Sequence, residues 1–422
     1  MKKNKLAIRG GTPVINYKFK INNTINNKEI DAVTKVMKTG KLSGFYGSKS
    51  KFFWGGEKIR KFEKMWSKYF KVKYAISVNS WTSGLVVSIG ALDLEPGDEI
   101  IVSPWTMCAS ATAIIHWNCI PVFADIEPKT FCIDPQSVEK NISKKTKAIV
   151  AVDIFGQCCN YDALRKIARK HNLKIICDSA QSILAKYKGK YSGTLGDIGG
   201  YSLNYHKHIN TGEGGVIVTN NKKFAEKLYA IRNHAEVVAT SNKKKLINMI
   251  GYNFRMGEIE AAIGIEQLKK VKKRVQLKRN IANLLNKGLK SLPGLAIPKV
   301  RNTSTHSYYI YPIILDLNIL KISRTKIFNA LRSEGVQGLT DQYVNLHLYP
   351  MYQKKIAYGS KHFPWSKSVR NISYSKGICP VAEELQQKSF LGIEIQKFEL
   401  KNKDVQKIVN AFHKVWQNIG EI

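Results

Sequence analysis

No window of this 422-residue chain approaches the ~18 uninterrupted apolar residues of a membrane-spanning helix, which excludes a helical membrane protein. The basic start, MKKNKLAIRGGTPVIN, lacks the apolar segment of a secretory signal, so the cytoplasm is the expected location. Cysteine is sparse and unpatterned. The seven, at positions 108, 119, 132, 158, 159, 177 and 379, are odd in number and contain no CxxC pair. Neither a disulfide framework nor a zinc site is indicated, and most of these cysteines read as small core residues. Acidic residues are scarce: 31 Asp and Glu stand against 68 Lys and Arg, a formal net charge of +37. Such a surface attracts phosphate-bearing molecules. The excess is scattered lysine, however, and compositional bias alone accounts for it. Zinc spacings, RNP-type aromatics and a basic zipper are all missing, so no specific nucleic-acid partner is expected. No GxGxxG follows an early strand, and GTLGDIGG at Gly193 lacks that spacing, which argues against a nicotinamide dehydrogenase.

The chain does contain a clear alternation of elements. Its 44% hydrophobic content suits a globular protein, and its length exceeds one ordinary core, so two domains are expected. A helical pattern near Glu29 to Lys38 precedes an irregular loop from Ser43 to Glu57, SGFYGSKSKFFWGGE, and an amphipathic stretch from Lys58 to Phe70. From Tyr74 helices alternate with short apolar runs: Glu99 to Ser103, Ile120 to Asp125, Ala148 to Asp153, Lys174 to Asp178 and Gly215 to Thr219. That alternation predicts an α/β fold with a mostly parallel sheet covered by helices. A helix from Met256 to about Leu289, apolar on one face, reads as a connector. Beyond Pro293 the strand-like SYYIYPIIL opens a smaller C-terminal α/β part. The predicted division is 1–255 and 256–422.

The chemistry is concentrated between Lys174 and Asn220. A short apolar run delivers Asp178 at the C-terminal end of a buried strand, where ligands of open α/β sheets bind. About thirty residues on, Lys207 sits among Ser202, Asn204, Tyr205, His206 and His208, closed by TGEGG from Thr211 to Gly215. An acid for a ring nitrogen and an amine for an aldehyde are what pyridoxal phosphate requires of a protein. Earlier, the turn Asn79-Ser80-Trp81-Thr82-Ser83-Gly84 precedes an apolar helix, Leu85 to Leu92. Its amides and hydroxyls suit an anion, although an ordinary N-cap by Ser80 reads the same way.

These motifs resemble the DegT/DnrJ/EryC1/StrS family of pyridoxal-phosphate-dependent sugar aminotransferases. Asp178-Ser179-Ala180-Gln181 matches its Asp-x-Ala-Gln, and Ser202 through Lys207 to Gly215 matches its Ser-x-x-x-x-Lys-x-x-x-x-Gly-Glu-Gly-Gly. The similarity runs from about Gly10 to about Ile393. It implies a fold-type I enzyme with a large and a small domain, and transfer of an amino group, with glutamate as donor, to a nucleotide-linked ketosugar. Lys207 is then the catalytic lysine, Asp178 the partner of the ring nitrogen, and Gln181 a neighbour of the ring's 3-oxygen. Trp81, Thr82 and Ser202 fall at phosphate-binding positions, Trp81 standing where the family has glycine. Trp105 falls where an aromatic side chain stacks on the ring. In GYNFRMGEIEAAIG, Asn253 matches an asparagine lent to the neighbouring subunit's phosphate, which implies a homodimer with shared sites. His306, Tyr343 and His347 match segments that approach the substrate, as do the Ser43 to Glu57 loop and Arg232-Asn233-His234. Asp153 stands where relatives have histidine. Two alternatives remain open: a sugar 3-dehydratase, which uses histidine at the lysine position, and a cofactor-binding regulator without catalysis.

Overall fold

The computed structural model describes residues 5–48, 50–236 and 250–422; of the predicted loop from Ser43 to Glu57, Lys49 lies outside the described residues. The first strands in chain order are β1 (Tyr74–Val78), β2 (Glu99–Val102), β3 (Ile120–Phe123), β4 (Thr146–Val152) and β5 (Lys174–Asp178). A small hairpin follows, β6 (Lys186–Tyr187) and β7 (Lys190–Tyr191), then β8 (Ile198–Ser202) and β9 (Gly215–Thr219). Seven of these form one sheet in the order β1-β9-β8-β5-β4-β2-β3. Neighbours from β3 to β8 pair in parallel, and β9 alone runs antiparallel to both its partners. This is the mostly parallel α/β sheet that the alternation predicts. Every residue of β2 and β3 is buried, as a sheet covered on both faces requires.

Eight helices flank or bridge this sheet: α1 (Asn27–Thr39), α2 (Glu57–Phe70), α3 (Trp81–Gly90), α4 (Ala109–His116), α5 (Pro135–Asn141), α6 (Tyr161–Lys170), α7 (Lys222–Arg232) and α8 (Glu258–Leu289). Helix α1 starts with a capping box: Asn26 accepts from the first-turn backbone, and the Glu29 carboxylate accepts from the Asn26 amide. Helix α2 buries Phe62, Trp66 and Phe70 at its apolar spacing and packs Trp66 and Phe70 against Tyr201 of β8. Each such aromatic contributes about 1.5–3 kcal/mol through its burial, and together they fix the back of the strand that leads to Lys207.

Beyond α8 come β10 (Leu295–Ala296), β11 (Ser304–Thr305), β12 (Tyr311–Leu315), β13 (Leu339–Thr340) and β14 (Phe390–Ile393). An antiparallel sheet has the order β10-β12-β14-β13, while β11 joins the β6–β7 hairpin. The core under the smaller sheet includes Leu285 and Leu289 of α8 and also Leu6, Ile15 and Phe19 from the start of the chain. Conversely, Leu346, Tyr352, Trp365 and Phe390 pack into the core of the large sheet. Among the described residues no helix is long and apolar enough to cross a membrane, and no cluster of His, Cys, Asp and Glu could hold a metal ion.

Candidate active site

The C-terminal ends of β4 and β5 lie side by side, with Val152 in register with Asp178. Asp178 is 4% exposed, and its carboxylate accepts three hydrogen bonds. The Trp81 indole donates to Oδ1 at 2.7 Å, the Ser110 hydroxyl to Oδ2 at 2.7 Å, and the Ala180 amide to Oδ1 at 3.3 Å. Above it, Ser80 caps α3 by accepting from the Ser83 amide. The Trp81 and Thr82 amides, in the first turn, have no acceptor within the helix and are available to an anion. Gly215 opens β9 so close to this turn that a Cβ there would stand 2.8 Å from the Trp81 nitrogen. Glycine is therefore required at that approach.

Lys207 lies in the loop between β8 and β9, where its amide donates to the Asn204 carbonyl and its carbonyl accepts from Gln396. Its ammonium rests 4.2 Å from the centre of the Tyr309 ring. Surrounded by protein except on the cavity side, the amine is lowered to about 8 by burial, against a smaller upward pull from the Asp178 charge. Asp178, Lys207, Gln181, Trp81, Thr82 and Ser202 line one cavity of about 170 Å³. Lys207 and His206 also border a larger space of about 560 Å³ on the Tyr309 side. His206 is lowered to about 4, first by burial and then by the Lys207 charge, so its ring is neutral beside the amine.

Gln181 is held at both ends. Its carbonyl accepts from the Phe155 amide at 2.8 Å, and its NH2 donates to the Tyr343 hydroxyl at 2.9 Å, leaving one amide hydrogen free. Tyr343 thus supports the site through Gln181. Asp153, wholly buried, accepts from the Cys159 amide and from the hydroxyls of Tyr161 and Ser179, and burial raises its carboxyl to about 6. It ties β4 to the segment that follows Asp178.

Three expected residues stand elsewhere. Trp105 is fully buried among Phe131, Phe155, Tyr343 and Phe390, and Met107, two residues on, lines the cavity instead. The turn before α4 directs residue 105 inward, a direction that composition does not reveal. His306 is buried and stacked on Tyr308, whose amide it accepts. His347 is buried against Glu383, 2.9 Å away. Neither histidine lines the cavity that holds Lys207 and Asp178. Asn253 is exposed, bonded to Arg255 and bridged to Asn233, and it does not line the cavity of its own chain. Arg232 and Asn233 anchor the Ser43 to Glu57 loop: Asn233 donates to the carbonyls of Tyr46 and Phe53, and Arg232 lies over the Phe45 ring. Sequence reasoning missed Ser110, Met107 and Tyr309. Only the small hydroxyl in the first turn of α4, shortly after Pro104-Trp105-Thr106, offered a signal for Ser110.

The chain is similar to known proteins over most of its length. The model of the DegT/DnrJ/EryC1/StrS aminotransferase family matches residues 24–411. The chain is 36% identical over 341 residues to the uncharacterized protein MJ1066 of Methanocaldococcus jannaschii, covering 79% of this chain and 88% of that protein. It is 34% identical over 344 residues to a GDP-perosamine synthase of Vibrio cholerae, covering 80% and 89%. The X-ray structure of the aminotransferase from Psychrobacter cryohalolentis superposes with a TM-score of 0.80 at 27% identity, covering 96% of this chain and all of that one. With a lysine, a carboxylate and a helix N-terminus around one cavity of an α/β sheet, and a family match across nearly its whole length, the chain is an aminotransferase that belongs to the DegT/DnrJ/EryC1/StrS family.

Proposed function

We propose that this enzyme moves an amino group, with glutamate as donor, onto a ketosugar carried by a nucleotide, using pyridoxal phosphate. The observation that carries the reading is one cavity that holds both a lysine lowered to about 8 and the Asp178 carboxylate. The residues fit the cofactor: free first-turn amides of α3 with the Thr82 and Ser202 hydroxyls suit its phosphate, and Asp178 suits its ring nitrogen. When bound, pyridoxal phosphate supplies an aldehyde for amines and a ring that takes up the electrons of a carbanion.

The chain's own residues supply the rest. Lys207 Nζ is the nucleophile that holds the cofactor and then the base that removes a proton from the amine-bearing carbon of the donor. In the second half-reaction it returns a proton to the carbon that receives the nitrogen. Asp178 keeps a proton on the ring nitrogen, and the spare Gln181 amide hydrogen is available to a ring oxygen. The sugar nucleotide is supported by the relative named as a GDP-perosamine synthase and by the net charge of +37; glutamate follows from the family resemblance. Lysine at position 207 opposes the dehydratase alternative, and the full set of catalytic groups opposes a regulator. Free thiols throughout the described residues fit the reducing cytoplasm. The exposed Asn253 supports a homodimer with shared sites, and 1–255 remains the cofactor-binding part of the proposed division.

Borohydride reduction of the loaded protein tests the assignment. A phosphopyridoxyl group on Lys207 is expected by peptide mass mapping, and Asp178→Asn should retain cofactor while transamination falls by several kcal/mol of barrier, roughly a thousandfold. A label on another lysine, or none in cofactor-saturated protein, would overturn the reading.

A further inference from the structure

Position 81 carries tryptophan where the resemblance leads one to expect glycine, and the fold has been emptied to receive it. The indole is 5% exposed. A Cβ at Gly84 of α3 would lie 2.5 Å from its Cε3, and one at Gly200 of β8 only 2.0 Å from its Cζ3. Two glycines on two elements therefore make the slot, and the slot aims Nε1 at Asp178.

The hydrogen bonds of Asp178 then have a directional consequence. A carboxylate offers about four lone-pair positions, two on each oxygen. Oδ1 already accepts from the Trp81 indole and the Ala180 amide, whereas Oδ2 accepts only from Ser110. One position remains, and it is on Oδ2. We infer that Trp81 is a positioning residue: with Ser110, its indole N–H clamps Asp178 so that a single lone pair of Oδ2 meets the ring nitrogen of the cofactor. The inference rests on the pyridoxal-phosphate reading of the site. Trp81 replaces no donor at the phosphate, because its backbone amide stays in the first turn of α3. One residue thus acts at both ends of the cavity, through its amide and through its side chain.

Trp81→Phe keeps a ring in the slot and removes the N–H, which frees a second acceptor position on Oδ1. The test uses protein loaded with ring-15N pyridoxal phosphate, after borohydride labelling of a parallel sample has located the cofactor on Lys207. The ring-nitrogen resonance is expected to move in Trp81→Phe and, through the other oxygen, in Ser110→Ala. It should stay at its wild-type position in Ile89→Val, which alters the same helix at a residue that does not line the cavity of Asp178. The turnover rate of Trp81→Phe should fall roughly tenfold with the KM for the amino donor within twofold, the mark of lost orientation rather than lost binding. A resonance unchanged in both clamp variants would overturn the inference while leaving the Lys207 assignment standing. Failure of the Lys207 label would instead remove the reading on which it rests.

Discussion

At the scale of single residues, the amine of Lys207 is set by its surroundings. Burial withdraws water from the ammonium, and the Tyr309 face and Asp178 charge return only part of what is lost. The neutral amine is the nucleophile, so a lowered value brings reactive amine to lower pH. In cofactor-free protein the rate at which Lys207 condenses with an aldehyde reagent should rise to about pH 8 and then level off. An exposed lysine continues to gain reactivity to about pH 10.4. Replacing Asp178 by Asn removes a charge that holds the proton on, so the inflection should move to still lower pH. Mass mapping of modified lysines after timed borohydride quenching reads both profiles; a Lys207 profile like that of the exposed lysines would refute the burial argument.

At the scale of elements, β8 and α3 show how backbone space and side-chain chemistry are coupled. Gly199 and Gly200 interrupt β8, and a glycine pair between polar segments reads as a loop, which is why the sequence did not mark a strand there. The structure needs Gly200 because the Trp81 ring and the Val216 carbonyl both lie against it. Gly84 answers to the same ring from within α3, where alanine would otherwise favour the helix by about 1 kcal/mol. Gly84→Ala should therefore destabilise the wild-type protein by about 1–3 kcal/mol through overpacking. In a Trp81→Gly background the ring is gone, the next nearest group is Val78 Cγ2 at 3.4 Å, and the same change should be neutral or stabilising. Denaturant melts of the four proteins form a double-mutant cycle. Additive effects would show that the ring does not determine residue 84.

At the scale of the whole molecule, the exposure of Asn253 is the feature that a single chain leaves without a use. It stands on the surface beside Asn233 and Arg255, away from the cavity of its own chain, while the Ser43 to Glu57 loop presents Tyr46, Phe52 and Trp54 to solvent. The proposed homodimer with shared sites gives both a role. Mixing inactive Lys207→Ala chains with Asn253→Ala chains should then restore activity, because each heterodimer has one site with both defects and one with neither. Recovery is expected to approach half of the wild-type activity per heterodimer, a proportion that follows from one intact site in two. Verified heterodimers no more active than the sum of the parents would exclude sharing.

The sequence by itself determined the alternating elements, the strand that ends at Asp178, and the loop that carries Lys207. Each is written in local apolar period and in motif spacing, both properties of neighbours along the chain. It also marked α1 through its helical pattern and α2 through its apolar stripe, within one or two residues of the observed ends. Tertiary structure alone decided which side chains face the cavity. Trp81 and Ser110 reach Asp178 across 97 and 68 residues, and no periodicity connects such positions. For the same reason Trp105 turned inward to an aromatic cluster, and His306 and His347 became buried. Hydrogen-bond direction and close packing are settled only when distant elements meet.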